Sequence, residues 1–85
     1  MKEFSYVITD ELGIHARPAG MLVKEAGKFQ SDIKIKKGEK TADAKRIFGI
    51  MGLAAKKGDE ITITADGVDE AEAVAAMEEF LKANL

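Results

Sequence analysis

The chain has no cysteine and no tryptophan, one histidine and one proline in 85 residues. Without thiols there is no disulfide framework, no thiolate zinc site and no cysteine nucleophile. A single histidine leaves no His cluster for a metal, and the acids show no EF-hand spacing, so neither a metal nor a cofactor is expected. No apolar run approaches the ~18 residues of a membrane span. The N-terminal segment MKEFSYVITDE alternates and carries acids, unlike a signal peptide, so a cytoplasmic protein with no direct membrane insertion is expected. There is no excess of basic charge either. Lys and Arg number 13 against 15 Asp and Glu, a net charge of −2, which argues against a nucleic-acid partner. Nor is there a linker, a low-complexity tract or an internal repeat.

What is present is the composition of one small globular domain, residues 1–85, with 46% hydrophobic and 33% charged residues. At this size the folded chain should expose about 4,900 Å² and remove roughly 63% of the unfolded surface from water, enough for one core but not for a deep enclosed pocket.

Local patterning gives the order βαββαβα. Phe4, Tyr6 and Ile8 alternate on one face of a strand over residues 3–9. Asp10-Glu11-Leu12-Gly13 turns the chain. From Ala16 the period lengthens, and Ala19, Leu22, Val23 and Ala26 share a helix face, with Pro18 in the first turn and Gly27 at the end. Ile33 and Ile35 mark a second strand, Lys37-Gly38 a hairpin turn, and Ala42 and Ala44 the returning strand. A short helix is expected over Ile47–Leu53, with Ile50 and Leu53 inward and Ile47, Phe48 and Met51 partly outward. Ile61, Ile63 and Ala65 form the fourth strand. The last helix starts at Asp69, read as its cap, with Glu72 completing a capping box and Val68 stapled to Ala73. Ala73, Val74, Met77 and Leu81 continue as its buried stripe. Half-buried strands that need cover on one face imply an α+β fold, a four-stranded antiparallel sheet with three helices on one side. The lysines at 34, 36, 37 and 40 are expected to protect a sheet edge.

One segment combines chemistry with position. In Gly13-Ile14-His15-Ala16-Arg17-Pro18 the histidine stands immediately before a helix. The first turn has free N–H groups and a partial charge of roughly +0.5 e, so a phosphoryl group on the ring would lie against the amides of Ala16 and Arg17. Arg17 adds a guanidinium suited to phosphate oxygens, and Pro18 fixes the backbone without offering an N–H. The same positive end disfavours the imidazolium form and keeps a ring lone pair free. A solvated surface His beside a surface Arg would show the same three residues, and both readings stand on this segment alone. Ser5 and Ser31 lack nucleophile-elbow glycines, so a Ser-His-Asp triad is not expected. The second segment is Arg46-Ile47-Phe48-Gly49-Ile50-Met51-Gly52-Leu53, where exposed Phe and Met would make a contact patch and buried ones would simply be core.

GIHARPAG, then AKRIFGIMGL, then KKGDEITITADGVDEAEA, spaced across essentially the whole chain, resembles the HPr family. These are the histidine phosphocarriers of the bacterial phosphoenolpyruvate-dependent sugar phosphotransferase system. The resemblance implies an open-faced β-sandwich and a monomeric, stoichiometric phosphoryl carrier, not an enzyme. It implies that His15 is phosphorylated on Nδ1 by enzyme I and passes the group to a His of an enzyme IIA domain. Arg17 would neutralise the phosphate, with Ala16 and Pro18 completing the helix start. Met21, Lys24, Ile47, Phe48, Gly49 and Met51 would form the docking surface for both partners. A nitrogen-branch paralogue, or a regulatory protein-binding module of the same fold, is the alternative. One departure stands out. Gram-positive members carry a regulatory Ser where this chain has Arg46, which has no hydroxyl to phosphorylate. Gly20 and Gly52 also depart from residues more usual in the family.

Overall fold

The computed structural model describes all 85 residues. The order is β1 (Lys2–Val7), α1 (Ala16–Ala26), β2 (Asp32–Lys37), β3 (Lys40–Asp43), α2 (Ile47–Gly52), β4 (Glu60–Asp66) and α3 (Glu70–Asn84). The sheet runs β1-β4-β2-β3 and every pairing is antiparallel. Alternation in the sequence becomes rows across this sheet. Phe4 pairs with Ile63, Ile63 with Ile35 and Ile35 with Ala42, an inward row spanning all four strands. Ser5, Thr62, Lys36 and Thr41 form the matching outward row, in which the Ser5 and Thr62 hydroxyls lie 3.0 Å apart. A one-residue slip would exchange the two faces, so the apolar pattern itself holds the register.

The helices bury the inward rows. Ala19, Leu22 and Ala26 of α1, Ile50 of α2, and Ala73, Met77 and Leu81 of α3 join the strand residues in one core cluster of 19 buried side chains. Phe4, Tyr6, Val23, Phe29 and Val74 pack partly buried against it. The accessible surface is 5016 Å², against the roughly 4,900 Å² expected from chain length. The fold class and the seven expected elements are therefore those observed.

Two local expectations are corrected. The strand richest in lysine, β2, is interior, flanked by β4 and β3, and the edges are β1 and β3. Alternation shows which face of a strand is buried, not which neighbours it pairs with, so Lys34 and Lys36 belong to the open face and only Lys40 to an edge strand. The start of α3 also differs. Asp69 is its N-cap residue, but with φ −114° and ψ 27° it lacks the extended backbone that aims a cap side chain at the helix, and it makes no cap bond. Its carboxylate instead accepts the N–H groups of Gln30 (2.8 Å) and Ser31 (2.9 Å) and the Ser31 hydroxyl, tying the α1–β2 connection to the β4–α3 turn. Glu72 has no cap to complete, and Val68 is 90% exposed, stapled to nothing.

These contacts set the acid stability. The Ser31 hydroxyl and then the Gln30 amide hold Asp69 below its ordinary value of 3.8. The Lys56 amide and then Lys37 do the same for Asp59, and the N-terminal ammonium and then the Gly67 amide lower Glu70 from 4.5. A carboxyl lowered in the folded state stabilises the fold fully above its unfolded value and loses that contribution as pH falls through the folded one. Denaturant midpoints should therefore hold down to about pH 5 and decline below about pH 4, and Asp69→Asn should flatten that decline. A midpoint unchanged down to about pH 3 would contradict this assignment.

Candidate functional site

The turn before α1 is built to present one side chain. Gly13 has φ +66°, a conformation L-residues with a Cβ adopt at a cost, and donates to the Asp10 carbonyl at 3.0 Å. Ile14 is buried and donates to the Ala55 carbonyl at 3.0 Å. Ile14 points inward, and His15, on extended backbone, points outward. His15 is the N-cap of α1, at φ −102° and ψ −175°, and its carbonyl accepts the first helical bond from Ala19 at 2.9 Å. Its ring makes no cap bond. The N–H groups of Ala16 and Arg17 donate to no backbone or side-chain acceptor, and Pro18, which follows, has no N–H to offer. The histidine side chain, 39% exposed, thus stands beside two unpaired amides at the positive end of an 11-residue helix.

His15, Arg17, Pro18, Met21 and Asn84 line one open recess of 240 Å³. Arg17 is exposed and Pro18 is buried under the turn. The structure thus brings His15, Arg17 and Pro18 of this segment to one recess, and Met21, one turn further along α1, joins them. Two members are not legible in the sequence. Asn84 arrives from the far end of α3, where its amide also donates to the Phe80 carbonyl at 3.0 Å. Asp10 arrives across the turn, with its Oδ2 lying 3.5 Å from His15 Nε2. The turn itself is anchored from a distance, because the amides of Thr9 and Asp10 both donate to the main-chain oxygen of Leu85, at 2.6 and 2.8 Å.

The second segment lies alongside. α2 packs against α1, with Ile47 half-buried and its Cδ1 3.7 Å from where a side chain on Gly20 would begin. Phe48 is 87% exposed and Met51 and Met21 are 41% and 43% exposed, while Ile50 and Leu53 are core. Lys24 is exposed on α1. Gly49 differs in kind, since a Cβ there would meet that of Ala42 at 3.4 Å, so its contribution to the surface is backbone alone. Arg46 is the N-cap of α2 with no cap bond, and its side chain, 82% exposed, reaches Asp43 only at 4.0 Å. Asp43 ties the corner just before α2 but caps none of the amides of its first turn. Its carboxylate accepts the Lys45 amide at 2.9 Å and its carbonyl the Arg46 amide at 3.0 Å. No helix is long and apolar enough to cross a membrane.

Known proteins share both the sequence and this arrangement. The family described as the PTS HPr component phosphorylation site matches residues 2–83. The phosphocarrier protein HPr of Mycoplasma capricolum is 49% identical over 81 residues, 95% of this chain and 91% of that protein. The solved structure of a Mycoplasma histidine-containing phosphocarrier protein superposes with a TM-score of 0.94 at 46% identity, covering 96% and 93% of the two chains. HPr from Thermoanaerobacter tengcongensis gives 0.93 at 40% identity, covering 98% and 93%. The catabolite-repression HPr of Bacillus subtilis, Crh, gives 0.71 at 34% identity, covering 99% and 100%. A lone histidine at a helix start, on a four-stranded sheet under three helices, with a family match from end to end, has one reading: the chain belongs to the HPr family, the phosphocarriers of the phosphotransferase system.

Proposed function

We propose that His15 is the residue that carries the phosphoryl group, taking it from enzyme I, which draws it from phosphoenolpyruvate, and giving it to enzyme IIA domains that serve sugar uptake. The observation that carries this reading is the free ring of His15 beside two unpaired helix amides. The Nδ1 lone pair forms the N–P bond as the donor's bond to phosphorus breaks and its electron pair leaves with the donor. The phosphoryl oxygens are then held by the Ala16 and Arg17 amides and by the Arg17 guanidinium, while the helix end favours their negative charge. An exposed ring suits a carrier, because each partner must bring its own reacting atom in line. The protein is accordingly a stoichiometric, monomeric, cytoplasmic carrier, not an enzyme, and residues 1–85 act as one domain.

Met21, Lys24, Ile47, Phe48, Gly49 and Met51 form the surface on which both partners dock. Contact is brief and of modest area, with Phe48 as its apolar anchor. Arg46 has no hydroxyl, so the serine-directed regulation of Gram-positive relatives is absent at this position. Phe48→Ala should weaken binding of enzyme I about tenfold and move the melting temperature by no more than about 2 °C, since the ring is already in water. A large fall in melting temperature with unchanged binding would remove Phe48 from the docking surface.

The deciding experiment is incubation with enzyme I, Mg²⁺ and phosphoenolpyruvate, followed by intact mass at neutral and acid pH and by peptide mapping. One acid-labile phosphoryl group on the His15 peptide is expected. An unmodified chain with a competent enzyme I, or an acid-stable phosphate elsewhere, would overturn the assignment.

A further inference from the structure

We infer that Asp10 is a positioning residue for phosphoryl transfer, its carboxylate holding the Nε2–H tautomer of His15 so that Nδ1 remains the free, nucleophilic nitrogen. This rests on the proposed carrier role of His15. Asp10 Oδ2 lies 3.5 Å from His15 Nε2, and no other carboxylate oxygen comes within 4.0 Å of either ring nitrogen. The neighbouring acid, Glu11, points elsewhere, 4.0 Å from Lys57 with its side chain 87% exposed. Asp10 does not reach the ring from a loose loop. Its amide is bound to the Leu85 oxygen at 2.8 Å, its carbonyl accepts from Gly13 at 3.0 Å, and the Thr9 hydroxyl also donates to Leu85 at 2.8 Å. The carboxylate is therefore mounted on a turn fixed at both ends, on the ring's Nε2 side.

The chemistry follows from the donor inventory. A neutral imidazole has one nitrogen that donates and one that accepts, and an ionised carboxylate only accepts. The nitrogen facing Asp10 is thus the one that keeps its hydrogen, and the lone pair is left on Nδ1. When Nδ1 attacks, the N–P bond forms, the donor's bond to phosphorus breaks with its pair, and the Nε2 proton stays where it is. The ring gains positive charge during this step at the end of a helix that disfavours it. The Asp10 carboxylate balances that charge from the opposite side of the ring, and does so again when the phosphoryl group departs. Asp10 touches neither donor nor acceptor and acts only through the histidine.

The test joins a spectroscopic readout to a kinetic one. Long-range ¹H–¹⁵N correlation of the His15 ring, on unphosphorylated protein at a pH where the imidazole is neutral, reports the tautomer directly. The wild type should be almost wholly Nε2–H, Asp10→Ala should gain a measurable Nδ1–H population, and Asp10→Glu should restore the wild-type shifts. Phosphorylation by enzyme I should slow about three- to fivefold in Asp10→Ala, the scale of a half-exposed ion contact, with recovery in Asp10→Glu. The amide spectrum serves as the check on folding. Unchanged ring shifts in Asp10→Ala would overturn the inference, and so would altered shifts with an unaltered transfer rate. A wild type that accepts no phosphate on His15 would instead overturn the proposed function, a failure visible separately because the tautomer is read without phosphorylation.

Discussion

His15→Ala is expected to abolish phosphoryl acceptance altogether while leaving the fold in place. The chain has one histidine, so no second imidazole can substitute. The loss is confined to function because little structure depends on the ring. Its side chain is 39% exposed, it makes no cap bond, and its one polar contact is the half-exposed Asp10. The fold uses the backbone of His15, whose carbonyl starts α1 and whose amide donates to Gly13 at 3.1 Å, and alanine keeps both. The stability change should stay within about 1 kcal/mol, the usual range for a surface site without a cap or a buried partner. The measurement pairs enzyme I-dependent phosphorylation with urea unfolding. Residual stoichiometric phosphorylation would place the acceptor elsewhere. A loss of several kcal/mol would show that the ring has a structural role.

Gly13→Ala should do the reverse, damaging fold and site together. At φ +66° a Cβ would lie 2.3 Å from the Ala55 carbonyl oxygen and 2.7 Å from Lys56 Cα. Both are backbone atoms, so no side-chain rotation relieves the overlap. The strained φ and the overlap together should cost about 2–5 kcal/mol. That same Ala55 oxygen accepts the Ile14 amide, the bond that fixes the residue before His15, so displacing it moves the histidine as well. Gly38 provides the control, at φ +60° with nothing within 4 Å of a Cβ. Gly38→Ala meets the conformational cost alone, about 1 kcal/mol, and leaves phosphorylation unchanged. Equal losses in the two variants would mean that φ, not the overlap with Ala55, makes Gly13 necessary.

The contrast between these glycines marks how far local pattern reaches. Both look like turn glycines in sequence. Only the approach of residues 55 and 56, some forty positions away, makes one of them intolerant. Asp69 teaches the same point. Its sequence context is that of a helix cap, but the α1–β2 connection supplies better donors, and the carboxylate turns to Gln30 and Ser31. Local preference gave way because three donors from a distant segment outweigh a single cap bond.

What the sequence determined by itself is whatever depends on periodicity and neighbouring residues. That includes seven elements in order, the inward face of each strand, the buried stripes of α1 and α3, and a histidine at a helix start with arginine two residues on. These are legible because a period of two or of 3.6 and the free amides of a first turn are properties of a short stretch of chain. The tertiary structure alone decided that lysine-rich β2 lies inside the sheet, that Gly49 faces β3, that Asn84 borders the recess, and that Asp10 stands against Nε2 of His15. Each of these depends on which surfaces meet once the apolar faces are buried together. Burial is indifferent to sequence distance, so no local pattern records it.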